Sequence, residues 1–467
     1  MNAPFLSRCL PGLLLLGLLA GPLAARAADA PVPSPALPFE LKVDTLENGL
    51  TVVRVPFPSP GLIAYDTVVR VGSRNEVEPG RTGFAHFFEH MMFRGTPRFP
   101  EGARDALLAR AGFSDNAFTS SDVTVYTVFG PSSALADLVD VEADRFQNLQ
   151  YSETSFQTEA KAVLGEYFKN AARPELKLRE TLQGTAFRKH TYRHTTLGFL
   201  ADIRGMPELY EYSRDFFSRW YSPENTVIVV AGDFDDAELM RLVREKYGPW
   251  KRSGASVDIP TEPRQTSARS ADVAWEQPTL PRLVVTWRSP AVERSPKDAA
   301  IMELLGAYLA GPTSPLYRSE VLEKQRVQSL SPYGVGGRDP GLFGVWTTLK
   351  DAKDRDAVSR ALLEQVNAIA RGRVDAKRLA DLRSHARYAL LMNFDTPDNV
   401  AEALAYEIGT TGDVHSLGKY VAELATITPA DLTTFVKRHM VHKNSVTVFL
   451  DHSPAPAKAP AKKGATP

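Results

Sequence analysis

The sequence predicts an α+β fold built from two homologous α/β-roll domains, each a largely antiparallel sheet packed with helices. Strand and helix signals are mixed without the regular alternation expected of a doubly wound parallel sheet. A segment also repeats: Phe216-Phe217-Ser218-Arg219 through Asn225-Thr226-Val227-Ile228-Val229 aligns with Phe435-Val436-Lys437-Arg438 through Asn444-Ser445-Val446-Thr447-Val448 at a constant offset of 219. Each copy reads as a helix end, a turn and a β-branched strand, so the two halves share one fold. Between them, 252–270 (RSGASVDIPTEPRQTSARS) is polar and rich in Pro and Ser, with little to bury. The domains are therefore expected at 39–254 and 271–452, joined by a linker at 255–270.

In the first half, strands are expected over Leu41–Thr45 and Leu50–Pro56, joined by the hairpin signal Glu47-Asn48-Gly49, with a third over Ile63–Val71. Apolar residues at helical spacing predict helices at 83–93, 102–111, 133–148 and 155–170, with strands at 115–119 and 124–129 among them. Helix 207–220, strand 226–232 and helix 236–247 close the half.

The 467 residues carry 55 Lys+Arg and 55 Asp+Glu, dispersed along the chain, which excludes a basic nucleic-acid binder. A single cysteine excludes an intramolecular disulfide, cysteine-rich zinc sites and iron–sulfur clusters, so any metal must use His and carboxylates. At the N-terminus, Arg8 precedes an apolar run from Leu10 to Ala20, and Ala25-Arg26-Ala27 offers a cleavage site. That run is 11 residues, short of the ~20 that span a bilayer, so 1–27 reads as a signal peptide and the product as a periplasmic protein without a membrane span. Low-complexity sequence makes 28–38 a flexible linker and 453–467 a disordered Pro/Ala/Lys tail.

The chemistry concentrates in Gly83-Phe84-Ala85-His86-Phe87-Phe88-Glu89-His90-Met91-Met92-Phe93. At ~100° per helical residue, His86 and His90 lie ~40° apart on one face and Glu89 flanks His90. Two neutral imidazoles suit zinc, and a carboxylate that is not a ligand can accept a proton from water on the metal. For this composition about 0.02 such pentads arise by chance. The aromatic and methionine residues around the triplet mark a buried helix, where two His and a Glu without a partner would cost several kcal/mol.

A catalytic zinc takes a third protein donor. Helix 155–170 supplies candidates: Thr154 and Gln157 read as a capping pair, Phe156, Ala160, Val163, Leu164 and Tyr167 form an apolar face, and Glu159 and Glu166 lie seven residues apart on that face. Spacing alone leaves open which acid is the ligand. His190 and His194 have no acid between them and sit in a loop-like stretch, so structural or surface roles are expected.

His86-Phe87-Phe88-Glu89-His90, preceded by Gly72-Ser73-Arg74-Asn75-Glu76 and followed by Phe93-Arg94-Gly95-Thr96, resembles the active-site signature of the pitrilysin-type inverzincin metallopeptidases, which include mitochondrial processing peptidase and insulin-degrading enzyme. Asn116-Ala117-Phe118-Thr119, Tyr221-Ser222-Pro223-Glu224-Asn225 and Gly232-Asp233-Phe234 extend the resemblance over 41–254, with the second half similar in architecture. The resemblance implies one Zn2+ per chain on His86, His90 and Glu166, with Glu159 as the supporting acid and Glu89 as the catalytic base. It also implies an extended peptide substrate added as a strand beside Asn116 and Ala117. The expected function is a zinc endopeptidase acting on short or unfolded peptides; the alternative is a non-catalytic peptide-binding or scaffold subunit.

One segment departs from the family pattern. Where the family carries S-R-L-x-x-x-L-R with a Tyr seven residues later, this chain has Ser314-Pro315-Leu316-Tyr317-Arg318-Ser319-Glu320-Val321, then Gln328. Arg318 or Arg326, with Tyr333, could take the place of that pair only if the local register differs. The expected partner is therefore a second family subunit that supplies the absent Arg/Tyr pair in a heterodimeric chamber, with a homodimer as the other arrangement.

Overall fold

The β-branched runs form two sheets of one topology in a computed structural model that describes residues 36–291, 295–335 and 337–453. The expected signal peptide, most of the linker after it and nearly all of the C-terminal tail lie outside these residues. The first sheet contains β1 (Lys42–Thr45), β2 (Thr51–Pro56), β3 (Leu62–Val69), β4 (Ser114–Thr119), β5 (Thr124–Pro131) and β6 (Thr226–Gly232), in the order β1-β2-β6-β3-β5-β4. The second contains β7 (Arg269–Trp275), β8 (Arg282–Arg288), β9 (Val327–Val335), β10 (Leu342–Leu349) and β11 (Ser445–His452), in the order β7-β11-β8-β10-β9. Each has one parallel pair, β2 with β6 and β7 with β11, and is otherwise antiparallel. The hairpin between β1 and β2 turns at Gly49, whose φ of 93° is a conformation that side chains disfavour.

Both sheets are covered on both faces, which is why strands such as Thr226–Gly232 are buried throughout. Val52, Ile63, Tyr65, Tyr126 and Ile228 point one way, onto Phe84, Phe87 and Phe88 of the histidine-bearing helix. Val53, Ala64, Val68, Val125 and Val229 point the other way, onto Val400, Leu404 and Ile408 of helix Pro397–Thr411, which comes from the other half of the chain. The exchange is reciprocal. Helix Pro174–Ala186 of the first half packs on β7 and β11, with Leu178 and Leu182 against Val284, Val446 and Val448. Residues 251–266 form no helix or strand but are tied down: Gln265 donates to the Lys443 and Ser445 carbonyls, and the Glu262 carboxylate accepts from the Arg188, Lys189 and His190 amides. Among the described residues no helix is long and apolar enough to cross a membrane.

The repeat exposes one mismatch. Asp66 pairs in register with Val229, and the equivalent of Val229 in the second sheet, Val448, pairs with Val284. A carboxyl thus occupies a position that is valine in the twin sheet. It is fully buried, among the described residues no cation pairs with it, and burial, with Asp398 and Glu402 nearby, pushes its pKa well above the usual range. A raised folded-state pKa gives stability that is complete below the unfolded value of about 4 and is lost as pH climbs through the folded value. Asp66→Asn is therefore expected to match the parent near pH 4 and to exceed it at pH 8, on the order of 2 kcal/mol. Denaturant melts at the two pH values check this; an equal difference at both would remove ionisation as the cause.

Candidate metal and peptide site

The helix Phe84–Met91 begins at Gly83, required there twice over: its φ of 93° is one side chains disfavour, and a Cβ would meet the Ile203 side chain at 2.4 Å and the Leu197 carbonyl at 2.8 Å. Its first amides are capped from a distance in sequence. The buried Glu76 carboxylate accepts from the Gly83 and Ala85 N–H groups, each at 2.8 Å, placing negative charge at a helix N-terminus. Nothing in the sequence alone gives Glu76 a role beyond the signal of an acid shortly before a helix that lacks a Ser, Thr, Asp or Asn cap.

Aromatic contacts fix this helix on several sides. Phe88 stacks on Phe216 at 5.2 Å, Phe84 meets Tyr212 at 4.7 Å, and Phe87 meets Phe156 edge-on at 5.1 Å. Phe156 belongs to the acid-bearing helix Glu153–Ala171, which is capped by Ser152, whose Oγ accepts from the Ser155 amide, and not by Thr154 as the sequence suggested. The real start lies two residues earlier because Ser152 has the extended backbone a cap requires. Three residues beyond the Phe87–Phe156 contact on each helix come His90 and Glu159, which are hydrogen-bonded.

The two helices bring His86, His90 and Glu166 together, with one donor atom from each lying within 4.8 Å of the others. His86 Nε2 and His90 Nε2 are both 3.5 Å from Glu166 Oε2. Three donors at ~2.05 Å from one ion in tetrahedral arrangement lie ~3.3 Å apart, so this spacing fits a zinc ion. His90 Nδ1 donates to Glu159 Oε1 at 2.8 Å, which fixes the tautomer and leaves Nε2 as the lone-pair nitrogen. Glu159 is held in turn by Arg94, which also pairs with Glu101.

The charges agree with this reading. Without an ion, the Glu159 and Glu166 carboxylates raise the His90 pKa to about 9, and hydrogen bonding to His90 lowers that of Glu166. Burial lowers His86. Glu89 stands outside the triad, its Oε2 accepting from Thr119 Oγ1 at 2.6 Å at the end of β4. A cleft of about 490 Å³ joins Glu89 and His90 to Phe93, Asn116, Ala117 and Glu159. Among the described residues β4 is the edge strand of its sheet, so Asn116 and Ala117 border this cleft with one side of their strand unpaired. Because Glu159 orients His90, Glu159→Gln is expected to weaken zinc binding by about 10- to 100-fold without altering the circular dichroism spectrum. Competition with a chromophoric chelator reads that change.

The segment that departs from the family pattern leads elsewhere. Arg318 is exposed, Arg326 pairs with Glu320 at 3.4 Å and Asp354 at 3.3 Å, and the Tyr333 ring packs on Trp346 at 5.7 Å. The loop histidines are buried: His190 Nε2 donates to Asp339 of the second half at 3.0 Å, and His194 Nδ1 donates to the Thr195 carbonyl at 3.0 Å.

A two-sheet α+β fold with a histidine pair and an acid on neighbouring helices defines a class, and comparison with known proteins gives its name. Residues 64–198 match the family model described as insulinase (peptidase family M16), and 209–385 match the one described as the peptidase M16 inactive domain; the chain belongs to the M16 family. It is 26% identical over 413 residues to the zinc protease PqqE of Helicobacter pylori, covering 87% of this chain and 91% of that protein. It is 24% identical over 430 residues to the probable mitochondrial-processing peptidase subunit beta of Schizosaccharomyces pombe, covering 88% and 91%. A solved protease structure from Helicobacter pylori superposes with a TM-score of 0.81 at 25% identity, covering 88% of this chain and 99% of that one.

Proposed function

We propose that this protein is a zinc-dependent endopeptidase that cleaves short or unfolded peptides in the periplasm, inside a chamber completed by a second subunit of the same family. The observation that carries the reading is the convergence of His86, His90 and Glu166 donor atoms beside a carboxylate and a free strand edge. Zinc bound there supplies Lewis acidity, polarising a carbonyl and making water acidic enough to lose a proton near neutral pH.

The chain's own residues do the rest. An extended peptide aligns along the outer edge of β4, where main-chain pairing selects an extended conformation more than a sequence. Thr119 fixes Glu89 Oε2, and Glu89 Oε1 takes a proton from the attacking water and returns it to the leaving amine nitrogen. Glu159 keeps His90 Nδ1 protonated. Arg326 and Tyr333 are engaged within their own half, which supports assigning the absent Arg/Tyr pair to another subunit; the Schizosaccharomyces pombe relative is itself named as a subunit.

The test is a peptide-library digest by the purified chain, alone and with material co-purified from native periplasm, before and after chelation and zinc restoration. Cleavage that is lost with the metal and regained with one equivalent of zinc supports the reading. Turnover by the isolated monomer as fast as by any mixture removes the second subunit. Zinc and peptide binding without cleavage in every mixture selects the non-catalytic subunit.

A further inference from the structure

A second cleft, of about 520 Å³, opens at the other end of the histidine helix, bounded by Lys177, Arg188, Arg193 and His194. The three cations are exposed, and among the described residues no acid lies within ion-pair distance of any of them. Arg193 lies over the Phe199 ring at 5.3 Å. One carboxylate lines the cleft, Glu180, and it accepts from Tyr167 Oη at 2.7 Å. Three side chains from one helix and the loop after it thus make a concave cationic surface, with Glu180, already engaged by Tyr167, as its lining counter-charge among the described residues.

Beneath them lies an acceptor without a donor. His194 is 4% exposed; its Nδ1 donates to the Thr195 carbonyl, so Nε2 carries a lone pair, and that atom is buried with no hydrogen-bond partner among the described residues. Thr195 Oγ1 is orphaned in the same way. Burial lowers the His194 pKa to about 4, so the ring stays a neutral acceptor. Buried polar atoms are nearly always satisfied, and an orphan acceptor in the wall of a cleft marks a place where a ligand or water donates. His194 Nδ1 is also 3.8 Å from the Glu76 carboxylate that caps the histidine helix, so this cleft and the one beside Glu89 flank the metal-binding residues from opposite ends of that helix.

We propose that this cleft is a second peptide subsite, which holds a substrate carboxylate on Lys177, Arg188 and Arg193 while a peptide N–H donates to His194 Nε2. The ligand needs an anion and a donor together, which a peptide offers at its C-terminal residue or at an Asp or Glu side chain, and cationic donors make the strong hydrogen bonds to carboxylate. The choice of a peptide rests on the peptidase reading above.

The test is fluorescence anisotropy on the zinc-loaded Glu89→Gln chain with three labelled decapeptides: one with a free C-terminal carboxylate, its amide, and the amide with one internal Glu. Tighter binding of either carboxylate probe than of the plain amide is expected, and which one wins identifies the source. Lys177→Gln with Arg193→Gln, both surface changes, should weaken the preferred probe about tenfold, leave the amide within about twofold and flatten the salt dependence. Equal affinity for acid and amide, an unchanged carboxylate probe in the double variant, or displacement of the peptide by equimolar inorganic phosphate would overturn the assignment. The comparison needs no cleavage, so a failure of the peptidase reading shows separately in the digest.

Discussion

Replacing Glu89 with Gln is expected to lower peptide turnover by about three orders of magnitude while the chain keeps its zinc. The amide retains the shape of the side chain and still accepts from Thr119 Oγ1, so the edge of the cleft stays in place. What it loses is a basic oxygen, and positioned acid–base groups contribute roughly 10²- to 10⁴-fold. Glu89 is outside the cluster of converging donors, so metal content should be unchanged by mass spectrometry and KM should change little. Loss of zinc in this variant would make Glu89 part of the metal shell; retained cleavage would take it out of the mechanism.

The candidate residues that the sequence alone brings together are those whose geometry is local. His86, Glu89 and His90 share one short helix, so their convergence follows from helical periodicity and does not depend on how the chain folds back. Glu159 and Glu166 also share a helix face, but spacing could not rank them. Their ranking depends on how that helix crosses the first, which the Phe87–Phe156 contact and a buried Val163 fix. Glu76, by contrast, acts across a loop and became visible only once it lay over the amides of Gly83 and Ala85.

The two-sheet topology was legible because the repeat at a constant offset follows the strands themselves. The exchange of helices was not. Pro174–Ala186 and Pro397–Thr411 have apolar faces that do not say which sheet they cover. Lys177, Arg188 and Arg193 are separated by helix and loop and looked like ordinary dispersed charge. Only the fold of the 187–200 loop gathers them, over a histidine the sequence suggested was structural or on the surface.

Replacing Glu166 with Gln separates a metal ligand from a neighbour by the sign of one change. In the metal-free chain His90 has a pKa of about 9, raised first by Glu159 and then by Glu166, so near neutral pH zinc must displace a proton from it. Below that pKa each pH unit lost costs about tenfold in affinity. If Glu166 only held this proton, Glu166→Gln would lower the His90 pKa, ease the competition and strengthen zinc binding at pH 7. If Glu166 is a ligand, the variant gains that small relief and loses a donor. Structural zinc sites spread ~10–16 kcal/mol over four protein ligands, so losing one donor is expected to cost roughly 3 kcal/mol, or more than a hundredfold. The donor distances of 3.5 Å favour the second case, so weaker binding at pH 7 and a smaller affinity gain between pH 7 and 9 than in the parent are expected together. Zinc titrations of both chains at the two pH values decide it, and tighter binding by the variant at pH 7 would strip Glu166 of its ligand role.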